Sequence, residues 1–259
     1  MKSPILILLV AAFALFATSC DELADGVCEN GEGPIETVTL NVPSFDAITL
    51  SNSADVVVTQ GPDQSVSVSG EQNIIDLIDT DVQDGVWKIR FTKCVRNMDD
   101  MTIYITVPEL TAVKIDGAGD ITGDGTFSTD KFVAEINGAG DIDMEVDADE
   151  ITADIDGAGD IKMTLTTKRL FSTIRGAGDL EFDGYTTLHD ISLRGAGDVF
   201  GYDLESSEAV VSVAGAGDVK VSVVDKLDIN INGAGNVYYK GTPSLNIRIE
   251  GAGEVIDAN

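Results

Sequence analysis

An eightfold internal repeat constrains the fold of this chain more than any other feature. The tripeptide Gly-Ala-Gly occurs eight times between residues 117 and 253, and successive copies lie about 19 residues apart. The first glycines of the eight copies are Gly117, Gly138, Gly157, Gly176, Gly195, Gly215, Gly233 and Gly251. A repeat of this length is typical of solenoids, in which each unit buries its apolar side only against its neighbours.

The residues around each triplet alternate in the manner of a strand. Between Phe132 and Val146, apolar residues and glycines hold the even positions, and most of the odd positions are polar. A period of two is the mark of a strand with one buried face. A run of about 13 extended residues would span about 43 Å, which is long for one side of a single coil. We therefore expect an all-β solenoid with about 19 residues per coil and a corner at each Gly-Ala-Gly, where glycine permits a tight turn or a close backbone approach.

An acidic or amide residue follows every triplet. These residues are Asp120, Asp141, Asp160, Asp179, Asp198, Asp218, Asn236 and Glu254. Coils stacked about 4.8 Å apart would align them as a ladder, in which neighbouring carboxylates repel by about 1 kcal/mol in water. Either each Asp accepts hydrogen bonds from backbone N–H groups of its own corner, or cations bridge the carboxylates. We favour the first alternative, because one Asp per coil supplies few of the oxygen ligands that calcium takes.

The repeat degrades before Ile115. Leu50–Val56 resembles a ninth unit that has lost its glycines, and strands are expected at 85–91 and 101–108. We interpret this region as atypical coils that cap one end of the solenoid, as terminal repeats often do. The predicted solenoid domain covers residues 37–258, with the regular repeats at 115–256.

The N-terminus carries the features of an export signal. The apolar run from Ile5 to Phe16 follows Lys2 and is shorter than the about 20 residues that span a bilayer. It leads to Ala17-Thr18-Ser19-Cys20, which resembles the lipobox of bacterial lipoproteins, although such motifs usually have Leu where Ala17 stands. We predict a signal peptide over 1–19, lipidation of Cys20 as the membrane anchor, and a tether over 20–36. Plain secretion is the alternative.

The two remaining cysteines, Cys28 and Cys94, have no metal-ligand or redox spacing. An exported protein meets an oxidising compartment, where they can pair as a disulfide. Two free thiols remain the alternative on sequence alone.

The charge balance excludes some partners. Acidic residues number 45 and basic residues 16, which gives a formal net charge of −29. Such a surface repels nucleic acid and anionic lipid headgroups. It suits divalent cations or basic partners, or it serves solubility alone.

Several motifs between residues 37 and 257 resemble the head GIN domain family, named for auto-transporter adhesins and common among Bacteroidota lipoproteins. They are Phe45-Asp46-Ala47-Ile48, Ser53-Ala54-Asp55-Val56, Thr59-Gln60-Gly61, Thr106-Val107-Pro108-Glu109-Leu110 and the recurrent Gly-Ala-Gly-Asp-Ile. The resemblance implies a right-handed parallel β-helix in the periplasm or at the cell surface, anchored in the outer membrane. It also implies an adhesin. Our own expectation is a binding module whose partner is a surface glycan or protein.

The sequence contains little that points to catalysis. We expect the single histidine, His189, at the surface in a variable linker between repeats. Arg175 and Arg194 precede adjacent corners and could hold an acidic sugar, but we expect them to offset Asp179 and Asp198. We therefore predict a protein that is not an enzyme, with a structural spacer and, less favoured, a polysaccharide-active enzyme as alternatives. The tyrosines that could stack on sugar are Tyr185, Tyr202, Tyr238 and Tyr239.

Overall fold

The structure is a computed structural model that describes residues 28–259. The predicted signal peptide and the predicted lipidation site at Cys20 lie outside the described residues. Within the described range, no helix is long and apolar enough to cross a membrane.

The N-terminal part consists of ten short strands and one helical turn. They are β1 (Glu29–Asn30), β2 (Ile35–Leu40), β3 (Ala47–Leu50), β4 (Asp55–Gln60), β5 (Ser65–Glu71), α1 (Gln72–Ile75), β6 (Val82–Gln83), β7 (Val86–Ile89), β8 (Val95–Asn97), β9 (Thr102–Val107) and β10 (Ala112–Ile115). The predicted strands at 85–91 and 101–108 correspond to β7 and β9. The predicted tether over 20–36 contains β1 and the start of β2.

The repeats form six long strands followed by three short ones. They are β11 (Ile121–Ile136), β12 (Ile142–Ile155), β13 (Ile161–Ile174), β14 (Leu180–Leu193), β15 (Val199–Val213), β16 (Val219–Ile231), β17 (Val237–Lys240), β18 (Ser244–Ile249) and β19 (Val255–Asp257). Each long strand pairs in parallel with the next one along the chain. The predicted β-solenoid, with its period of about 19 residues per coil, is therefore confirmed.

Each coil has two flat sides, because the long strands bend halfway. In β12 the buried residues are even-numbered up to Ala148 and odd-numbered from Ile151 onwards. This change of parity carries the chain around a second corner of the coil, which in β12 lies between Ala148 and Ile151, while the apolar side chains stay inside. We call the side that follows a Gly-Ala-Gly-Asp corner face A and the side that precedes the next corner face B.

The interior consists of columns of aliphatic side chains in register. One column contains Leu50, Ile115, Ile136, Ile155, Ile174, Leu193, Val213, Ile231 and Ile249. All of its members except Ile249 are fully buried. Each such side chain contributes about 1.5 to 3 kcal/mol when it is withdrawn from water, so the columns hold the coils together.

The repeated glycines are required by the close approach of successive coils. A Cβ atom on Gly157 would lie 2.0 Å from the carbonyl oxygen of Gly138, and the same contact recurs along the stack. In the ninth unit, Asn52 and Ala54 stand at the two glycine positions. The coil on the outer side of this unit differs from the repeats, because a much longer connection joins Ile89 to Thr102 there. The ninth unit predicted at Leu50–Val56 is therefore confirmed as a coil of the stack.

The N-terminal cap departs from chain order. The coil of β3 and β4 lies between the coil of β7 and β9 and the coil of β10 and β11. On face A, β5 pairs antiparallel with β9, and β2 pairs antiparallel with β5. Cys28 and Cys94 form a disulfide with a Cα–Cα distance of 4.6 Å, which joins the start of the described chain to this cap.

Candidate functional site

A bulge in β15 interrupts the regular face A. The coil from Gly195 to Gly215 is one residue longer than each of the three coils before it. Opposite β16, Gly201 pairs with Val221 and Glu205 pairs with Ser222, which leaves residues 202–204 without a partner on that strand. Bulges commonly re-aim side chains out of a sheet, often next to functional sites. Here the bulge contains Tyr202.

A groove with a volume of about 380 Å³ lies beside this bulge. It is lined by aromatic rings, carboxylates and one ammonium group. The lining residues are Glu181, Phe182, Asp183, Phe200, Tyr202, Asp203 and Lys220. An apolar floor with a few convergent polar groups is the usual composition of a small-ligand site.

Two lysines hold the aromatic rings of this region. Lys220 Nζ lies 4.4 Å from the centroid of the Phe200 ring, and Lys240 Nζ lies 4.3 Å from that of Tyr202. Each such contact contributes about 0.5 to 1 kcal/mol at an exposed site. Burial, and to a smaller extent the nearby Tyr238, raises the pKa of the Tyr202 phenol. At neutral pH its hydroxyl therefore keeps its proton and can donate a hydrogen bond.

The four tyrosines considered as sugar platforms occupy different surroundings. Tyr202 lines the groove, and Tyr238 stands beside Lys220 on the adjacent strand. Tyr239 is half-buried near Asp257, and burial raises its pKa. The Tyr185 hydroxyl lies 3.0 Å from Ser207 Oγ, away from the groove lining.

Sequence reasoning missed Phe182 and Phe200 as members of this region. Phe200 is paired with Glu181 on the preceding coil and with Lys220 on the following coil. The register of the strands therefore places its ring beside these two charged side chains. The longer step from Gly195 to Gly215 was the available signal, because an extra residue inside a regular repeat indicates a local bulge.

The predicted Asp ladder is a chain of hydrogen bonds between coils. In each pair, one Oδ1 atom accepts a hydrogen bond from the backbone N–H of the equivalent residue one coil later. Asp55 accepts from Asp120 at 3.3 Å, and Asp120 accepts from Asp141 at 2.9 Å. The donors that follow, each bonded to the residue one coil earlier, are Asp160 at 2.8 Å, Asp179 at 2.7 Å, Asp198 at 2.7 Å, Asp218 at 2.6 Å, Asn236 at 2.8 Å and Glu254 at 3.0 Å. The N–H donor expected within the same corner therefore belongs to the next coil.

These bonds give each aspartate of the ladder a charge-assisted partner at the point where repulsion was expected. Among residues 28–259, no group of three or more His, Cys, Asp or Glu side chains is arranged to hold a metal ion. The ladder is consequently explained by backbone donors, and calcium binding by it stays an untested alternative.

The prediction that His189 is a surface residue is wrong. Its side chain is fully buried in β14, in the column between Leu170 and Ala209. Nε2 lies 2.8 Å from Ser172 Oγ, and the Phe182 ring meets the imidazole edge-on. Burial lowers the pKa of His189 to about 3, so the ring is neutral at physiological pH.

The physical reason is the change of strand parity at the second corner. The segment interpreted as a linker continues as a strand, and after the bend its odd-numbered residues point inward. Because it is enclosed, the Ser172–His189 pair cannot reach a substrate in solution.

The expected partners of the two arginines are also wrong. Arg175 donates to Asp156, and its Nη2 lies 4.0 Å from Asp154 Oδ2. Arg194 forms no ion pair within the described part of the chain. Both arginines stand one position before the first glycine of their corner, in the column that contains Asp156 on the preceding coil. Asp179 and Asp198 instead accept hydrogen bonds from the backbone of the next coil. The carboxylate of Asp156 raises the pKa of the Arg175 guanidinium further.

Comparison with known proteins agrees with this architecture. The family described as "Putative auto-transporter adhesin, head GIN domain" matches residues 44–181 and 149–243. No functionally curated protein matches the chain.

Several solved structures share the fold. A putative adhesin from Parabacteroides merdae has a TM-score of 0.85 and 20% identity, over 88% of this chain and 99% of that one. A putative adhesin from Parabacteroides distasonis has a TM-score of 0.82 and 23% identity, over 87% and 98%. A putative lipid binding protein from the same species has a TM-score of 0.79 and 20% identity, over 88% and 99%. At these identities the likeness shows the fold alone.

Proposed function

Because the chain belongs to the head GIN domain family, we propose that it is a lipid-anchored binding module of the cell envelope that holds carbohydrate in its aromatic groove. An adhesin-type family suggests a protein of the envelope or the cell surface. The carbohydrate ligand, the anchor at Cys20 and the outer-membrane location are the parts that we add.

The groove beside the β15 bulge carries this proposal. Phe200 and Tyr202 offer apolar ring surfaces against which the C–H faces of a sugar can pack. Asp183 and Asp203 can accept hydrogen bonds from hydroxyl groups, and the protonated phenol of Tyr202 can donate one. Such a mixture of a few oriented polar groups on an apolar floor fixes both affinity and orientation.

The charge of the groove selects among sugars. Three carboxylates, those of Glu181, Asp183 and Asp203, face one ammonium group, that of Lys220. This excess of negative charge, on a chain of net charge −29, disfavours uronic acids. We therefore expect neutral or amino sugars, and not the acidic sugar that the Arg175 and Arg194 pair would suit.

Binding without catalysis fits the same site. The single histidine of the chain is enclosed in the core as a neutral ring, so it cannot serve as an acid or base at the groove. The family and the similar structures are likewise described as adhesins or binding proteins.

Replacement of Tyr202 tests the ligand site. We expect Tyr202→Ala to weaken the binding of a neutral or amino oligosaccharide by about tenfold or more, since a tenfold loss corresponds to about 1.4 kcal/mol of lost stacking and hydrogen bonding. Calorimetry on the purified full chain, with ligands chosen from a glycan array, measures the change. Tyr104→Ala is the matched control, because Tyr104 is 47% exposed on β9, outside the groove lining.

Two outcomes would contradict this proposal. One is a glycan array on which the full chain binds nothing; it would favour a structural spacer, the role that a rigid stack of coils can fill without a ligand. The other is an equal loss of binding in Tyr202→Ala and Tyr104→Ala. The anchor has its own readout, because mass spectrometry of the membrane-extracted protein should show acyl chains on Cys20 that are absent in Cys20→Ser.

A further inference from the structure

The aromatic surface of the groove continues along the solenoid axis beyond the groove lining. On face A, strand register aligns Phe200 of β15 with Lys220 of β16 and with Tyr238 of β17. All three side chains point outward and are half-buried. Tyr238 lies outside the groove lining but in line with it, so an aromatic ring stands on each side of Lys220.

Tyr202 spans the same part of face A. The centroid of its ring lies 4.3 Å from Lys240 Nζ, and because Tyr202 belongs to β15 and Lys240 to β17, this contact crosses the intervening strand β16. On β16, the residue paired with Lys240 is Ser222, whose small side chain leaves room for the contact. The rings of Phe200, Tyr202 and Tyr238 therefore border one surface that extends over three coils.

The polar groups of this surface are sorted by coil. Asp183 of β14 and Asp203 of β15 are paired in register and supply carboxylate acceptors. Lys220 and Lys240, on the two later coils, supply ammonium donors. Both lysines contact aromatic rings, and neither forms an ion pair within residues 28–259. Their N–H groups are therefore free to donate to hydroxyl groups of a ligand.

The surface has no matching continuation toward the earlier coils. In the column of Phe200, the preceding residues are Glu181 on β14, Lys162 on β13 and Asp143 on β12. Lys162 Nζ lies 3.3 Å from Glu181 Oε1, and this ion pair offers no ring to a ligand. In this column, a ligand that extends beyond the groove gains aromatic contacts only in the direction of Tyr238.

We propose that the groove binds a linear, β-1,4-linked oligosaccharide that lies along the solenoid axis, with one sugar ring on each of the coils of β15, β16 and β17. The proposal rests on the carbohydrate-binding function proposed above, and it adds the shape of the ligand, its direction and Tyr238 as a contact residue. The first ring packs on Phe200 and Tyr202, the second lies at Lys220, and the third packs on Tyr238.

The spacing of the coils supports this arrangement. Successive coils lie about 4.8 Å apart, which is close to the advance per ring in an extended chain of 1,4-linked pyranoses. Alternate rings of a β-1,4-linked chain present the same face to one side. Phe200 and Tyr238 stand two coils apart, or about 10 Å, so they meet equivalent faces of the first and third rings.

The dependence of affinity on oligosaccharide length tests the proposal. The probes are β-1,4-linked oligomers of glucose, mannose and N-acetylglucosamine with one to four rings, titrated by calorimetry into the full chain. We expect the association constant for a bound series to rise by about tenfold or more between two and three rings, because only the third ring reaches Tyr238.

The outcomes separate this proposal from the proposed function. Binding that does not strengthen between two and three rings overturns the proposal but leaves carbohydrate binding by the groove intact. Failure of every probe to bind also overturns it, and the glycan array then decides independently whether the groove binds another carbohydrate.

Replacement of Tyr238 tests its role at the third ring. Tyr238→Ala should abolish the gain between two and three rings and leave the affinity for two-ring probes unchanged, which also shows that the variant is folded. Tyr238→Phe keeps the ring and should keep the gain. Asp143→Ala is the matched control, because Asp143 is exposed in the same column on the other side of the groove. A Tyr238→Ala chain that keeps the full gain, or an equal loss in Asp143→Ala, overturns the proposal.

Discussion

At the scale of single residues, several polar side chains interrupt the aliphatic interior in the middle of the solenoid. The hydroxyls of Thr167 and Thr186 donate to carbonyl oxygens two residues further on, at 3.2 and 3.1 Å, and so support the second corner. Ser206 occupies the same column on the next coil, and neither its Oγ nor His189 Nδ1 has a hydrogen-bond partner within the described protein. Unpaired buried groups of this kind cost about 1 to 3 kcal/mol each, so this cluster weakens the core locally.

The buried histidine should make stability depend on pH. The pKa of His189 is about 3 in the folded protein and about 6.5 when the chain unfolds, so the unfolded state binds the extra proton between these values. Stability is therefore lost as pH falls below 6.5, by about 2 kcal/mol between pH 7 and pH 5. Denaturant unfolding of the wild type and of His189→Leu/Ser172→Ala at both pH values measures this contribution.

The double variant restores the residue types of neighbouring coils, with Leu170 and Ala153 as the models. It should lose less stability than the wild type between pH 7 and pH 5. Equal losses in the two proteins would mean that His189 does not carry the effect and that carboxylates account for it.

At the scale of the element, the Gly-Ala-Gly-Asp corner is the unit that sets the spacing of coils. Its glycines allow carbonyl oxygens to approach to the place where a Cβ would stand, and its aspartates bond the next coil. These two contacts act on the same edge, so the corner specifies stacking more than it specifies a turn. The side chain of the alanine between the glycines is exposed and has no such role, although its backbone N–H donates to the preceding coil, as Ala158 does to the Gly138 carbonyl oxygen at 3.0 Å.

Substitution within one corner should separate these roles. We expect Gly157→Ala to destabilise the fold by about 1 to 3 kcal/mol, because its methyl group would lie 2.0 Å from the carbonyl oxygen of Gly138 and the coils would have to separate. Ala158→Ser, on the exposed neighbour, should change stability by less than about 0.5 kcal/mol. Urea melts of both variants make the comparison, and a Gly157→Ala chain as stable as the Ala158→Ser chain would contradict this account of the corner.

At the scale of the whole molecule, the two ends of the solenoid are unlike. One end is closed by the antiparallel strands β2 and β5 and by the Cys28–Cys94 disulfide, and at the other end the described chain continues the parallel stack with β18 and β19. If Cys20 carries the lipid, the eight residues from Cys20 to Cys28 reach at most about 29 Å, so the closed end stays near the membrane. The groove and β18 belong to the later coils, on the side away from this anchor.

The disulfide should contribute to the stability of the closed end. It spans 66 residues, and closing a loop of that length restricts the unfolded chain. We expect Cys28→Ser/Cys94→Ser to lower the free energy of unfolding by about 2 to 4 kcal/mol. Thermal melts of this variant and of Cys20→Ser, which leaves the pair intact, make the comparison. An unchanged melting temperature in the double variant would show that β1 and β8 hold the cap without the bond.

The repeat was sufficient to predict the solenoid, its period and its Gly-Ala-Gly corners. These features are repeated eight times along the chain, and local alternation together with glycine spacing is sufficient to read them. It also indicated the degenerate ninth unit at Leu50–Val56, because that unit keeps the apolar positions and Asp55 of the repeat.

The contacts between coils could not be predicted in the same way, because they depend on how the coils align in three dimensions. The donor to each aspartate, the burial of His189 and the partner of Arg175 depend on which residue of the next coil lies alongside. That alignment depends on where each strand bends and where β15 bulges, and the bends leave no regular mark in the sequence. Strand parity changes at each bend, so a single residue of uncertainty moves a side chain from the surface to the core.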